Sequence, residues 1–165
     1  MTADLSWIAV VKGLALLLAA NGAPVLTSVL ADARTATPID GGFRLRDGRP
    51  LFGAAKTWRG LIAALAATAL AAYGLGYGMA TGVWFAAGAM AGDLLASFCK
   101  RRLGREEGSH LRGLDTPLES LLPLVLVKSQ LGIGWLEIAF LVGVFYLIES
   151  WSSPLLYKWH LRKQP

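Results

Sequence analysis

Residues Leu61–Gly92 read LIAALAATALAAYGLGYGMATGVWFAAGAMAG, a run without one charged side chain, and the way it folds decides the architecture. A single helix of about 32 residues would be roughly 48 Å long, against about 30 Å of bilayer hydrocarbon. A hairpin turning through Gly74, Gly76, Gly78 and Gly82 gives two spans of ordinary length instead. It also sets Tyr73, Tyr77 and Trp84 at one interface, where aromatic rings are favoured.

The charges outside the run separate the two foldings. Of the 16 Lys and Arg residues, all but Lys12 and Lys128 fall in three segments: loop 32–59, loop 99–116 and the tail from Lys158. The hairpin places all three segments on one side of a membrane, whereas one long helix would split them. The positive-inside bias therefore favours the hairpin, with the N-terminus out and the C-terminus in.

Apolar segments fall near 5–31, 58–77, 80–99, 117–133 and 135–157. With 55% hydrophobic residues in a chain of 165, an ordinary soluble domain is excluded. The expected fold is all-α, a polytopic membrane protein with about five transmembrane helices, forming one domain over residues 1–165. Its expected location is the cell membrane, with the working face cytoplasmic. Ala31-Asp32-Ala33 resembles a cleavage site, yet Asp4 precedes an apolar stretch too long for a signal core, so a retained helix is expected. Asn21-Gly22 and Pro24 are expected to interrupt it. Small residues such as Gly88, Ala91 and Gly92 suit close helix packing. The net charge of +5 follows membrane sidedness, so no nucleic-acid partner is expected. Cys99 is the only cysteine, which excludes an intrachain disulfide.

Chemistry concentrates in Gly92–Glu119, GDLLASFCKRRLGREEGSHLRGLDTPLE. Asp93 lies within an apolar segment, where a carboxylate is costly and points to function. Ser97 is four residues on and shares its helix face. Asp93 reads either as a ligand to Mg²⁺ or as a carboxylate satisfied by a hydroxyl or arginine of a neighbouring helix. Asp115 and Glu119, at i and i+4, present two carboxylates together, and such a pair repels unless a cation or proton lies between. Asp115 also reads as the N-cap of a helix whose first turn holds Pro117.

Lys100, Arg101, Arg102 and Arg105 form a phosphate-sized basic patch or, more simply, a topology signal. A second charged motif, PIDGGFRLRDGRPLFGAAKTWRG, fills residues 38–60. Its glycines let backbone approach a ligand closely, and Lys56 and Arg59 stand ready to hold phosphates. The spacing is not that of a P-loop. His110 and His160 read as solvated or interfacial. Glu149 reads as a further member of the polar site or as a packing hydrogen bond, while Lys128 and Glu137 stand apart near the outer face. No Ser-His-Asp arrangement or CxxC occurs, so neither covalent catalysis nor zinc is expected.

Taken together, Pro38-Ile39-Asp40-Gly41-Gly42, Gly53 and Lys56-Thr57-Trp58-Arg59-Gly60 resemble the first cytoplasmic loop of the CDP-archaeol synthase family. Gly92-Asp93, Ser97 and Lys100-Arg101-Arg102 are similar to the GDxxxSxxKR pattern of the wider cytidylyltransferase superfamily. Asn21-Gly22 and Pro24 resemble the family's first helix. The resemblance covers nearly the whole chain. It departs where the superfamily carries DxxD, since Asp115 and Glu119 are spaced Dx₃E here.

The resemblance implies transfer of CMP from CTP to a lipid phosphate, giving a CDP-lipid and pyrophosphate. It implies Mg²⁺ as cofactor, with Asp93, Asp115 and Glu119 as metal ligands and Lys100 beside Asp93 and Asp115 in catalysis. Lys56, Thr57, Arg59, Ser97, Arg101 and Arg102 would bind the nucleotide and its phosphates. The implied partners are CTP, a lipid phosphate and membrane lipids, with a homodimer as an admissible assembly. The competing class is a non-catalytic small transporter or lipid-binding protein, which would place polar groups near the midplane. The DxxDGxxAR…GxxxDxxxD pattern of CDP-alcohol phosphotransferases is not in the sequence.

Overall fold

A computed structural model describes residues 5–30, 36–106 and 112–158, apart from the side chains at 112 and 152–158. Ala31-Asp32-Ala33, His110, His160, Arg162 and Lys163 lie outside the described residues. The helices are α1 (Trp7–Leu30), α2 (Trp58–Gly74), α3 (Met79–Arg102), α4 (Arg112–Leu126), the single turn α5 (Lys128–Leu131) and α6 (Trp135–Lys158). Among the described residues no strand forms, only isolated bridges in the loop between α1 and α2. Helices α1 and α3 are long and apolar enough to cross a membrane.

The uncharged run does split. Helix α2 ends at Gly74, Gly76 turns the chain at φ +84°, and the Tyr77 N–H donates to the Ala72 carbonyl at 2.8 Å. Helix α3 then returns along α2. A Cβ at Gly82 would lie 2.5 Å from the Thr68 carbonyl oxygen and 2.6 Å from the Ala69 Cα, so the absent side chain sets how closely the two backbones pack.

Two expectations need correction. Helix α1 is continuous through Asn21, Gly22 and Pro24. Nearby side chains bond helix carbonyls: Asn21 Nδ2 donates to Leu17 O at 3.0 Å and Thr27 Oγ1 to Pro24 O at 2.9 Å. Pro24 serves packing, since a Cβ at Gly60 would sit 3.3 Å from its Cβ. The fourth helix also begins earlier than its apolar run, at Arg112. Asp115 is therefore in its first turn, not at its cap, and Pro117 and Pro123 lie inside it. Val127 breaks the segment before α5, and Gly132 closes α5 in the left-handed conformation at φ 65°.

Long helices consecutive in the chain run antiparallel. Lys12 near the start of α1 lies over the Tyr77 ring beyond the end of α2, while Pro24 near the end of α1 meets Gly60 at the start of α2. Gly88 of α3 packs on Pro123 of α4, and Thr116 at the start of α4 bonds Glu149 late in α6. Leu16, Leu17, Phe85, Leu124 and Leu141 form a buried core shared by α1, α3, α4 and α6. Outside it stand large exposed apolar side chains, among them Ile8, Ile62, Leu70, Trp84, Leu147 and Trp151. An apolar exterior of this extent is a surface for lipid. Lys128 over the Trp135 ring and Glu137, bonded to the Ser6 and Gly134 amides, mark the end of the bundle where α1 and α6 begin.

Candidate active site at the basic end of the bundle

Lys56 precedes α2 and reaches into α3, with its Nζ 2.5 Å from Oδ1 and 2.6 Å from Oδ2 of Asp93. Glu119 of α4 stands beside the same Asp93 carboxyl. Gly92 makes this meeting possible: a Cβ there would collide with the Leu118 carbonyl group and come 3.0 Å from the Glu119 amide nitrogen. With no side chain at Gly92, the next residue of α3 stands against Glu119. Burial works against the Lys56 ammonium, but the Asp93 and Glu119 carboxylates outweigh it and hold its pKa above the ordinary lysine value.

A second pair lies alongside. Lys100 Nζ donates to Asp115 Oδ2 at 2.8 Å, with both side chains buried. Helix α3 extends to Arg102, so Lys100, Arg101 and Arg102 occupy its last turn and not a loop. The cations there complement the negative end of the helix dipole. One residue after Asp115, Thr116 Oγ1 donates to Glu149 Oε2 at 2.5 Å and joins α4 to α6. Lys56, Asp93, Lys100, Asp115, Glu119 and Glu149 thus converge from a loop and three helices. Among the described residues, no three His, Cys, Asp or Glu side chains are gathered into a metal-holding group of their own.

Other expected residues take different places. Thr57 is the N-cap of α2, its hydroxyl accepting from the Gly60 amide at 3.2 Å. Ser97 is buried on α3. Arg59 is in the first turn of α2, three residues beyond Lys56. Arg101 is buried and donates to the Glu106 carbonyl at 2.7 Å. Arg102 turns to the first loop, donating to Asp47 Oδ2 at 2.7 Å and to the Pro50 carbonyl at 2.7 Å.

Residues that motif spacing alone did not single out build that loop. Asp40 accepts the amides of Gly42 at 3.0 Å, Phe52 at 2.9 Å and Gly53 at 3.0 Å. Partial burial opposes its charge, but these three donors prevail and hold its pKa below the usual aspartate value. The Asp-Gly-Gly sequence signals the local turn to Gly42. Nothing local signals the longer reach to Phe52 and Gly53. Gly53 sits at φ +101°, a conformation that side chains rarely adopt, on the path to Lys56.

The family model described as CarS-like, CDP-archaeol synthase, matches residues 7–158. A CDP-archaeol synthase of Hyperthermus butylicus is 49% identical over 107 residues, covering 59% of this chain and 59% of that protein. One from Saccharolobus islandicus is 33% identical over 142 residues, covering 78% of this chain and 81% of its own length. A solved structure described as an intramembrane enzyme for archaeal membrane lipids biosynthesis superposes with a TM-score of 0.66 at 31% identity. That superposition covers 84% of this chain and 90% of the other. The chain belongs to the CDP-archaeol synthase family.

Proposed function

We propose that this protein transfers CMP from CTP to a phosphorylated glycerolipid, releasing pyrophosphate and leaving a CDP-activated lipid. The observation that carries the reading is the convergence of Lys56, Asp93 and Glu119 beside Lys100 and Asp115, at the end of an apolar bundle. A water-soluble nucleotide and a lipid head group meet at such an end. The relatives' name supports an ether-linked archaeal lipid phosphate as acceptor. The paired helices and one-sided basic loops support five membrane-crossing segments with this end in the cytoplasm.

In the proposed reaction a non-bridging oxygen of the lipid phosphate attacks the α-phosphorus of CTP. A new P–O bond forms, the bond from the α-phosphorus to the β-phosphate bridging oxygen breaks, and pyrophosphate leaves with its electron pair. The attacking oxygen is already anionic, so no general base is needed. Lys56, Lys100 and Arg101 supply positive charge where the polyphosphate would lie, and Arg59 adds to it from the head of α2. Such preorganised charge acts mainly by positioning and by stabilising charge that develops in the transition state.

Mg²⁺ fits the residues present. Asp93 and Glu119 are two acidic side chains set side by side, an arrangement that a proton or a cation stabilises. Mg²⁺ is ordinarily held by one or two carboxylates together with substrate phosphates. Asp93 and Glu119 would hold it together with substrate phosphates, while Asp115, one helical turn before Glu119, is held by Lys100. Bound there, the ion would neutralise phosphate charge. The test is incubation of the purified full chain in detergent with CTP, Mg²⁺ and either phosphatidic acid or its archaeal ether analogue. CDP-lipid and pyrophosphate in equal amounts are expected. Failure with both acceptors and with other nucleotides would leave a lipid-binding or transport role ahead.

A further inference from the structure

We propose that Arg102 is a positioning residue for Lys56 and not a phosphate ligand. It acts with Arg49 and Asp47 as a clamp between the first loop and the last turn of α3. The proposal rests on the CMP-transfer reading for its effect on catalysis, while the clamp itself stands on contacts. Arg102 reaches Asp47 Oδ2 at 2.7 Å through one terminal nitrogen, and Pro50 O at 2.7 Å and Arg49 O at 3.3 Å through the other. Arg49 reciprocates, donating to Arg102 O at 2.5 Å and Arg101 O at 3.4 Å. Each arginine thus holds the segment that carries the other.

Three further features show a built contact. Arg49 satisfies carbonyls at the C-terminus of α3, where orphan acceptors and the negative dipole end favour a cation. Gly104, at φ +72°, leaves room for it: a Cβ there would lie 3.0 Å from the Arg49 terminal nitrogen. The Arg102 guanidinium also lies over the Phe98 ring, 5.4 Å from its centroid. The planar fork of Arg102 is directed at three oxygens of one loop, an arrangement a lysine cannot reproduce.

The clamp is in series with Lys56. Arg102 and Arg49 fix the loop at Asp47–Pro50, and Asp40 fixes it at Phe52 and Gly53. Lys56 then meets Asp93, and Thr57 caps α2. Slack at Pro50 would pass through this short segment to the Lys56 ammonium. Misplacing a catalytic group by about 1 Å can cost on the order of a hundredfold in rate.

The experiment compares wild type, Arg102→Ala, Arg102→Lys and Asp47→Asn, each as the purified full chain in detergent. It reads kcat and KM for CTP, together with hydrogen exchange of the amides in 43–57. Both Arg102 variants should lower kcat about tenfold, leave KM within about twofold and speed exchange in the loop. Asp47→Asn, a change on a half-exposed loop side chain, should act in the same direction without threatening the fold. Rescue of Arg102→Ala by Arg102→Lys would overturn the proposal, because lysine serves a phosphate but not this fork. So would a rise in KM of about tenfold with loop exchange unchanged. If wild type forms no CDP-lipid, the transfer reading fails, and exchange alone decides: an undisturbed loop in Arg102→Ala and Asp47→Asn overturns the clamp, and a loosened one upholds it.

Discussion

Lys56 and Asp93 are joined through both carboxylate oxygens, at 2.5 and 2.6 Å, and this pair ties the first loop to α3 where it packs against α4. Water reaches only 25% and 20% of the two side chains. Removing one partner strands the other's charge. The expected cost of Lys56→Ala is about 2 kcal/mol, below the roughly 3–5 kcal/mol of a fully buried pair. Lys56→Ala/Asp93→Asn should recover part of that loss, because the double change leaves no stranded carboxylate. Thermal unfolding in detergent measures the cycle, and additive losses would show that the pair is not coupled.

Gly92→Ala tests whether helix proximity creates the site. The added methyl overlaps the Leu118 carbonyl group, and α3 must retreat from α4. Overpacking of this kind costs about 1–3 kcal/mol. The retreat should also part Asp93 from Glu119, so turnover should fall further than the loss of folded protein explains. A variant with wild-type melting temperature and turnover would mean that the two helices tolerate separation.

The hairpin in 61–92 was legible because period and length leave few ways to fit an uncharged run into a bilayer. Asp93, Lys100 and Asp115 stood out because ionised groups beside apolar segments are costly. What sequence spacing could not supply was pairing. That Asp93 takes Lys56 and Glu119, while Asp115 takes Lys100, depends on the approach of α3 to α4 at Gly92. Arg102 looked like its neighbours in a basic cluster. Successive residues of a helix point about 100° apart, which is how Arg101 meets Glu106 while Arg102 meets the first loop. The continuity of α1 through Pro24 was likewise hidden, since Pro24 packs against Gly60 of another helix.

Asp40 predicts a pH dependence confined to the loop. Its folded pKa lies below the ordinary 3.8, so its contribution is present above that value and is lost as pH falls through the folded one. Amides of Phe52 and Gly53 should lose protection as the pH falls below 3.8 and through the folded pKa of Asp40, after correction for intrinsic exchange. Asp40→Asn removes the titrating group and turns an NH₂ towards at least one amide donor. It should expose those amides at every pH and flatten the profile. Identical profiles in the two proteins would rule out Asp40 as the hub of the loop.

The carboxylates that meet at Gly92 should differ in their weight on catalysis. Asp93 is held by Lys56 beside Glu119, so it stands at the centre of the cluster. Asp93→Asn keeps size and polarity but removes one of the carboxylates proposed to hold Mg²⁺ and the charged partner of Lys56. Loss of one contact to developing phosphoryl charge costs about 3 kcal/mol, roughly a hundredfold in rate. Glu119→Gln removes a carboxylate without stranding Lys56, and its turnover should fall less. Chelation of divalent cations should stop turnover in all three proteins, and Mg²⁺ should restore it. Both variants should need more Mg²⁺ than wild type for half-maximal rate, because each has lost a charged oxygen donor. The fold should survive, since an amide is easier to keep among apolar helices than a carboxylate. Near-normal turnover of a monodisperse Asp93→Asn protein, with an unshifted Mg²⁺ requirement, would make Asp93 a structural partner of Lys56 and move the metal site elsewhere.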